Sequence, residues 1–508
     1  MNANNWVRRS VKAVVIMSVL LCIASFGCMI AAFVVAGNPR YDGYENGFYY
    51  YVYEDEDTEY IQLTHCELTG NIEIPEEIDG KLVRTISSSM TINNGVIPFF
   101  DNPGEVLSVT LPDTLQNVYG GTFSGCNKLQ HINLPQSLRE IGLKMFENCA
   151  TLQEIILPHS VERIGEGAFL GCTSLRRIVI PDSVTYIGEN VFSGCTSLQE
   201  VTMPIFINDV YRYGDWENII FEDFFESEDE YKIITNGMTI NIVGVESIPD
   251  FPENRQGYFE NCMASTINIT GGMEKIGDYA FQGCINLSRI ELGNSITVFG
   301  SNVFSGCARL EQVVIPDGIK KISDYMFDDC TNLEQVTIPN GVTEIGRSAF
   351  SGCASLKQVT IPGSVTEIGS SAFSGCTSLA QIVIPDNVTK ISDFMFYDCT
   401  NLEQVIMNNN VTNIGEYAFS DCMRLGQFVI PNSVTRISSY AFSGCTGLEQ
   451  IIIPKNVTDI GRGVFQECSN LTIYAEVNSK PFGWAEESKW GEWSSWNGDC
   501  PVVWGYKG

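Results

Sequence analysis

The chain has 508 residues, with 30 lysines and arginines against 61 aspartates and glutamates, for a net charge of −31. A body this acidic repels phosphate backbones, so nucleic acid is excluded as a partner, and anionic membrane surfaces are disfavoured. Only three histidines occur (His65, His131 and His159), and there is no His-Glu-x-x-His, Gly-x-Ser-x-Gly or Gly-x-x-x-x-Gly-Lys motif, so the chain reads as a non-enzyme without metal or cofactor.

Residues 13–37 carry no charge and follow Arg8, Arg9 and Lys12. A basic flank before an apolar run is an export signal, and 25 uncharged residues are enough to cross a bilayer. The expectation is an N-terminal signal or transmembrane anchor over 1–37, with this segment in the membrane and the acidic body outside the cytoplasm. Val34-Val35-Ala36 offers a cleavage site, so the alternative is a protein secreted after cleavage near Ala36. Residues 41–100 read as a hairpin-rich N-terminal cap. Phe48-Tyr49-Tyr50-Tyr51-Val52-Tyr53 is strand-like, Glu54-Asp55-Glu56-Asp57 is a turn, and Ile72-Glu73-Ile74-Pro75 resembles the strand of the repeats that follow.

From Phe123 onward one phrase dominates: Phe-x-x-Cys, followed three residues later by an apolar residue, usually Leu. Thirteen copies occur, at Phe123, Phe146, Phe169 and Phe192 and then from Phe281 to Phe465, stepping by 23 residues within each run. A looser copy sits at Phe259–Cys262. A fixed period of this size means stacked supersecondary units, none of which can bury its own apolar set. One unit runs Leu333-x-x-Val336-x-Ile338-Pro339-x-x-Val342-x-x-Ile345-Gly346-x-x-Ala349-Phe350-x-x-Cys353. Val336 and Ile338 alternate with Gln335 and Thr337, the pattern of a short strand with one buried face, and Pro339 ends it. Ile345, Ala349 and Phe350 suit a short helical or 3₁₀ turn. Roughly fifteen such units would stack into a parallel-stranded rod or arc about 70 Å long. The glycine column (Gly142, Gly346, Gly369 and equivalents) is replaced by Ser323, Ser392 and Ser438, so it demands a small residue rather than positive φ. Fourteen of the 18 cysteines occupy the Phe-x-x-Cys column. Each is equivalent to both neighbours, so the reading favours a buried free-thiol ladder over disulfides, with Cys66 and Cys500 outside it.

This pattern resembles the BspA-like, Treponema-type leucine-rich repeat over residues ~104–204 and ~263–471. The resemblance implies a leucine-rich-repeat solenoid in a surface or secreted protein, and a role in adhesion to host proteins or other cells.

The outward strand positions are expected to form a concave binding face. One column reads Gln312, Gln335, Gln358, Gln381, Gln404, Gln427 and Gln450, beside a second column of Val, Thr and Ile. A structural reading makes it a stacked amide ladder; a functional one makes it a strip for an extended ligand. Earlier repeats break the column with Glu154, Arg177, Glu200 and Arg289, and His131 sits there too; these breaks are better candidates for specificity. Residues 205–262 form an irregular, acidic and aromatic enlarged repeat. The step from Phe192 to Phe259 is 67 residues, close to three periods, and the segment holds Tyr211, Tyr213, Trp216, Phe221, Phe224 and Phe225 among carboxylates. It is either a bulged repeat or a binding loop; calcium binding is disfavoured by the lack of EF-hand spacing. Residues 472–508 hold five of the seven tryptophans and read as a C-terminal cap, with sugar stacking as the alternative.

The composite expectation has a 1–37 anchor, a 41–100 cap with a divergent repeat, repeats over 101–204 and 263–471, the irregular 205–262, and a 472–508 cap. Its function is binding of an extracellular protein or other macromolecule, as an adhesin. The candidate contacts are Tyr211, Tyr213, Trp216, Phe224, Phe225, Arg177, Gln335, Gln358, Gln381 and Gln404. Alternatives are a passive envelope spacer or a glycan-binding surface protein.

Overall fold

The structure is a computed structural model that describes residues 41–55, 58–87, 99–205, 209–212, 215–218, 237–244, 247–250, 257–485 and 495–507. The expected export segment at 13–37 lies outside these residues. The described chain is a parallel-stacked β-solenoid of about sixteen turns. Its main ladder starts at Gly70–Glu73, continues through Val106–Thr110 and His131–Asn133, and ends at Val502–Trp504. Register is strict: Gln335, Val336 and Thr337 face Gln358, Val359 and Thr360 of the next turn. In most three-residue strands the middle residue is buried and its neighbours are exposed, as the period-two reading requires.

Pro339 ends the strand, and the Val342 N–H closes a turn onto its carbonyl. A second ladder follows, two residues wide, in which Glu344–Ile345 pairs in parallel with Glu367–Ile368. The segment expected to be helical or 3₁₀ is instead a series of single turns. Ser351 N–H donates to Ser348 O, Cys353 N–H to Phe350 O and Leu356 N–H to Cys353 O, each spanning three residues. Among the described residues the one 3₁₀ helix is Pro103–Glu105. The turns do not run on into helix because the alternate N–H groups of Ser348, Phe350 and Gly352 are donated to Ser370, Ala372 and Ser374 of the next turn. Each repeat is thus hydrogen-bonded to its neighbours along three sides.

This geometry forces left-handed backbone at Ser348 (φ 52°) and Gly352 (φ 69°), and the same two columns are left-handed through the array. The second takes Gly, Asn and Asp, residues tolerant of that region, with Glu467 the exception. The first takes Lys144, Tyr325, Phe394, Tyr417 and Tyr440, for which the conformation is strained. The glycine column behaves differently. Gly369 keeps ordinary φ, but a Cβ there would lie 2.6 Å from Arg347 N and from Gly346 C. Where serine replaces it, the hydroxyl is absorbed: Ser323 Oγ and Ser392 Oγ each donate at 2.6 Å to a carbonyl of the preceding turn.

Inside, the Phe column stacks in two described runs, from Phe123 to Phe192 and from Phe259 to Phe465. Phe327, Phe350 and Phe373 are fully buried, with ring centroids 5.4 Å apart and planes within 11°. Beside it every described cysteine is buried and unbridged. From Cys149 to Cys195 and from Cys284 to Cys468 the column thiols donate to the carbonyl of the preceding turn's Phe, as Cys353 does to Phe327 O at 3.2 Å. Cysteine therefore fills an apolar slot while supplying a weak donor. Burial pushes the thiols of Cys126 and Cys172 up to about 12, so they stay protonated and inert.

The two cysteines set apart by sequence extend the column at its ends. Cys66 is buried near Cys126. Cys500 Sγ lies 3.4 Å from Cys468 O and 3.7 Å from Phe465 O. The described part of the tail imitates a repeat: Trp484 pairs with Ile460 in the second ladder, Trp496 packs edge-on to Phe465 at 6.3 Å, and Val502–Trp504 adds a main-ladder strand. At the other end an antiparallel meander of Gly43–Glu45, Phe48–Asp55 and Thr58–Cys66 hands over to Lys81–Ile86 and then to Asn117–Val118 of the second ladder.

The irregular segment does not hold three turns. Asn241 hydrogen-bonds across a step of 39 residues to Thr202, and Asn268 across 27 residues to Asn241. Thr239–Ile242 is therefore one ladder strand between Glu200–Met203 and Thr266–Ile269. The enlarged turn before it carries an antiparallel hairpin, Asp209–Arg212 with Asp215–Asn218, in which Tyr211 is in register with Trp216.

Candidate functional site

The outer face of the main ladder changes chemistry along its length. In its early part His131, Glu154, Arg177 and Glu200 occupy one outward column, and all are exposed. The residues just before them are Gln130, Gln153, Arg176 and Gln199. Together with Thr151 these line a shallow cleft of about 570 Å³.

Strand register holds Arg177 between two carboxylates, opposite Glu154 on one side and Glu200 on the other. It chooses Glu154, with Nη2 2.9 Å from Oε2. Glu200 is engaged elsewhere, accepting from Asn241 Nδ2 at 2.8 Å. Asn268 then donates to Asn241 Oδ1 at 2.8 Å, so an amide ladder ties the cleft to the irregular turn. Arg176 has no ion pair among the described residues. Exposed Ile156 and Val179 (84% and 58% accessible) border the cleft. A guanidinium without a partner, a salt-bridged neighbour and two apolar contacts make a surface that can take a carboxylate and an apolar side chain from one ligand.

The later part is uniform. Gln335, Gln358, Gln381 and Gln404 stand exposed in register. The amide ladder read from sequence does not form there: among the described residues these side chains make no hydrogen bond to one another. Val383, Ile406, Val429 and Ile452 run alongside, between 42% and 80% exposed. This is an apolar row flanked by amides, suited to an extended strand; beyond the amides Glu334 pairs with Lys357 and Glu403 with Arg424.

Of the candidate contacts, Arg177 and the four glutamines thus lie on one continuous face. Tyr211 and Trp216 lie on the hairpin that leaves the ladder next to the charged cleft. Tyr213, Phe224 and Phe225 lie outside the described residues, as do Trp490 and Trp493, the residues that would test the glycan reading. Sequence reasoning missed Arg176, although its side-by-side placement with Arg177 in an acidic chain was the available signal. The asparagines of the Asn-Val-Thr triplets are engaged with backbone: Asn387, Asn410 and Asn456 donate to the carbonyls of Gly363, Asp386 and Asn432. Among the described residues no group of His, Cys, Asp or Glu could hold a metal, and no helix is long and apolar enough to cross a membrane.

Known proteins share this architecture. A leucine-rich repeat protein of Bacteroides ovatus is 25% identical, over 85% of this chain and 94% of its own, with a TM-score of 0.41. A leucine rich cell surface protein of Faecalibacterium prausnitzii is 21% identical over 91% and 99%, with a TM-score of 0.30. The T. pallidum leucine rich repeat protein is 24% identical over 51% and 87%, with a TM-score of 0.28. None of these superposes well enough to carry an argument about function, and no curated protein matches the chain. The model described as the BspA type leucine rich repeat region matches in six copies over residues 98–214, 254–380 and 366–479. That is well over half of the sequence, and the chain belongs to the BspA-type leucine-rich repeat family.

Proposed function

We propose that this is a surface-exposed or secreted repeat protein that binds an extracellular protein, as an adhesin, through the outer face of the main ladder. The observation that carries the reading is the change of outer chemistry on an unchanged scaffold. The buried columns repeat with little variation, while one outward column carries His131, Glu154, Arg177 and Glu200 where later turns carry glutamine, with Arg176 beside them. Stacking does not require those residues there, since later turns stack as well with glutamine. The charge-free run 13–37 supplies the means of export.

Binding of the full chain to immobilised extracellular-matrix proteins, at low and high salt, tests it. Saturable binding that survives high salt and falls tenfold or more in an Arg176→Ala/Arg177→Ala variant is the expected result, since buried interfacial arginines are common anchors. No saturable binding, or binding indifferent to both arginines, would overturn it and leave a passive spacer.

A further inference from the structure

A second surface lies on the meander before the repeats, and it differs in kind from the ladder face. The strand Phe48–Asp55 buries Phe48 and Tyr50 and turns Tyr49, Tyr51 and Tyr53 outward. Tyr41 and Tyr44 close on Tyr49, each at 4.7 Å between ring centroids, and Tyr53 stacks on Tyr60 at 5.8 Å. The result is a continuous sheet of six tyrosine rings. Tyr44 and Tyr53 are 55% and 41% exposed. Carboxylates frame it: Glu67 accepts from Tyr49 Oη at 2.7 Å and Tyr44 Oη at 3.1 Å, and the exposed Asp42 accepts from Val52 N–H at 2.9 Å. The ring faces carry negative quadrupole potential and the frame carries negative charge, so both favour a cation. The molecule supplies an example of its own, since the Arg84 guanidinium sits 5.6 Å over the Tyr60 ring.

We propose that this tyrosine face is a docking site for an arginine-bearing segment of a partner protein. Charge complementarity selects the occupant: the chain is strongly acidic, the rings are rigid amphipathic contacts with little side-chain entropy to lose, and a guanidinium stacks on them better than an ammonium. This site is independent of the ladder cleft, whose free group is itself cationic.

The test uses the full chain in neutral detergent with a fluorescent Gly-Arg repeat peptide, and Gly-Lys and Gly-Glu peptides as controls. A Tyr44→Leu/Tyr53→Leu variant keeps the charge and removes the two most exposed of the six rings. Both residues are exposed, so the fold survives the exchange, which circular dichroism checks. The expected result is arginine preferred over lysine, no binding of the glutamate peptide, and affinity falling about fivefold or more in the variant, with a residual that persists at high salt. Equal affinity of parent and variant, with all binding lost at high salt, would mean diffuse attraction and overturn the proposal. So would binding that appears only when Arg8, Arg9, Lys12 and Arg40 are changed to Gln, because the chain's own basic segment would then be the occupant.

Discussion

The early and late turns of the solenoid share a backbone and a buried face, and they part company only outside. Between Glu154 and Glu200 the outward column alternates acid, base and acid, with an unpaired Arg176 beside it. Between Gln312 and Gln450 the same column is glutamine at every turn. Beneath both, Phe rings stack at 5.3–6.1 Å and thiols reach the preceding carbonyl at 3.1–3.3 Å. The difference teaches where information resides. A buried residue in a repeat must fit two copies of its own neighbourhood, so it is held to one choice. An outward residue has only solvent on one side, so a departure from the repeat there costs little and can serve recognition.

The sharpest way to attack the shared interior is by pH. The free thiol value is near 9, and burial holds the column thiols of Cys126, Cys172 and Cys468 at about 12. Below pH 9 folded and unfolded chains both keep these protons, and the thiols add no pH dependence. Between 9 and 12 the unfolded chain loses protons that the folded chain retains, so stability falls as pH rises. Each thiol contributes about 1.4 kcal/mol per pH unit in that window. Summed over these three thiols and the others that burial raises, this should unfold the solenoid before pH 12, as followed by circular dichroism. A chain that stays folded at pH 12 would mean that the column is bridged or solvated.

A smaller but still large effect is expected from Phe350→Ala, which opens a hole in a stack that is closed on both sides. It should cost about 3–5 kcal/mol in denaturant unfolding. Gly369→Ala drives a Cβ into the backbone of the preceding turn and should cost about 1–3 kcal/mol, whereas Gly363→Ala meets nothing within 4 Å and should be close to neutral. On the outside of the same turn, Gln358→Ala should change stability by less than about 0.5 kcal/mol. Arg177→Ala, which breaks an exposed pair, should cost no more than about 1 kcal/mol. If Gln358 proved as costly as Phe350, the division between a structural interior and a free exterior would be wrong.

Much of this fold was legible because repetition turns weak signals into strong ones. Val336 and Ile338 alone would be ambiguous, but the same alternation at every turn fixes strand, register and buried face. The glycine column was read correctly as close packing because Ser323 and Ser392 replace it. Three features escaped. The left-handed column filled by Tyr325, Phe394 and Tyr417 has no compositional signature, since neighbouring-turn hydrogen bonds impose that backbone against local preference. Cys66 and Cys500 join the column from outside the period: Cys500 follows Trp496 by four residues, where the repeat has Phe and three. The 67-residue gap matched three periods by length, yet one step absorbs 39 residues. The site was half legible. Breaks in the column pointed to Glu154, Arg177 and Glu200, but only the structure shows Arg177 committed to Glu154 and Arg176 left free.

The most direct test of the central claim makes the early turns resemble the late ones. In a chain carrying Glu154→Gln, Arg176→Gln, Arg177→Gln and Glu200→Gln, unfolding and matrix-protein binding are measured side by side. The account predicts stability within about 1 kcal/mol of the parent, with binding reduced tenfold or more. Full binding by the glutamine chain would place recognition elsewhere and contradict it.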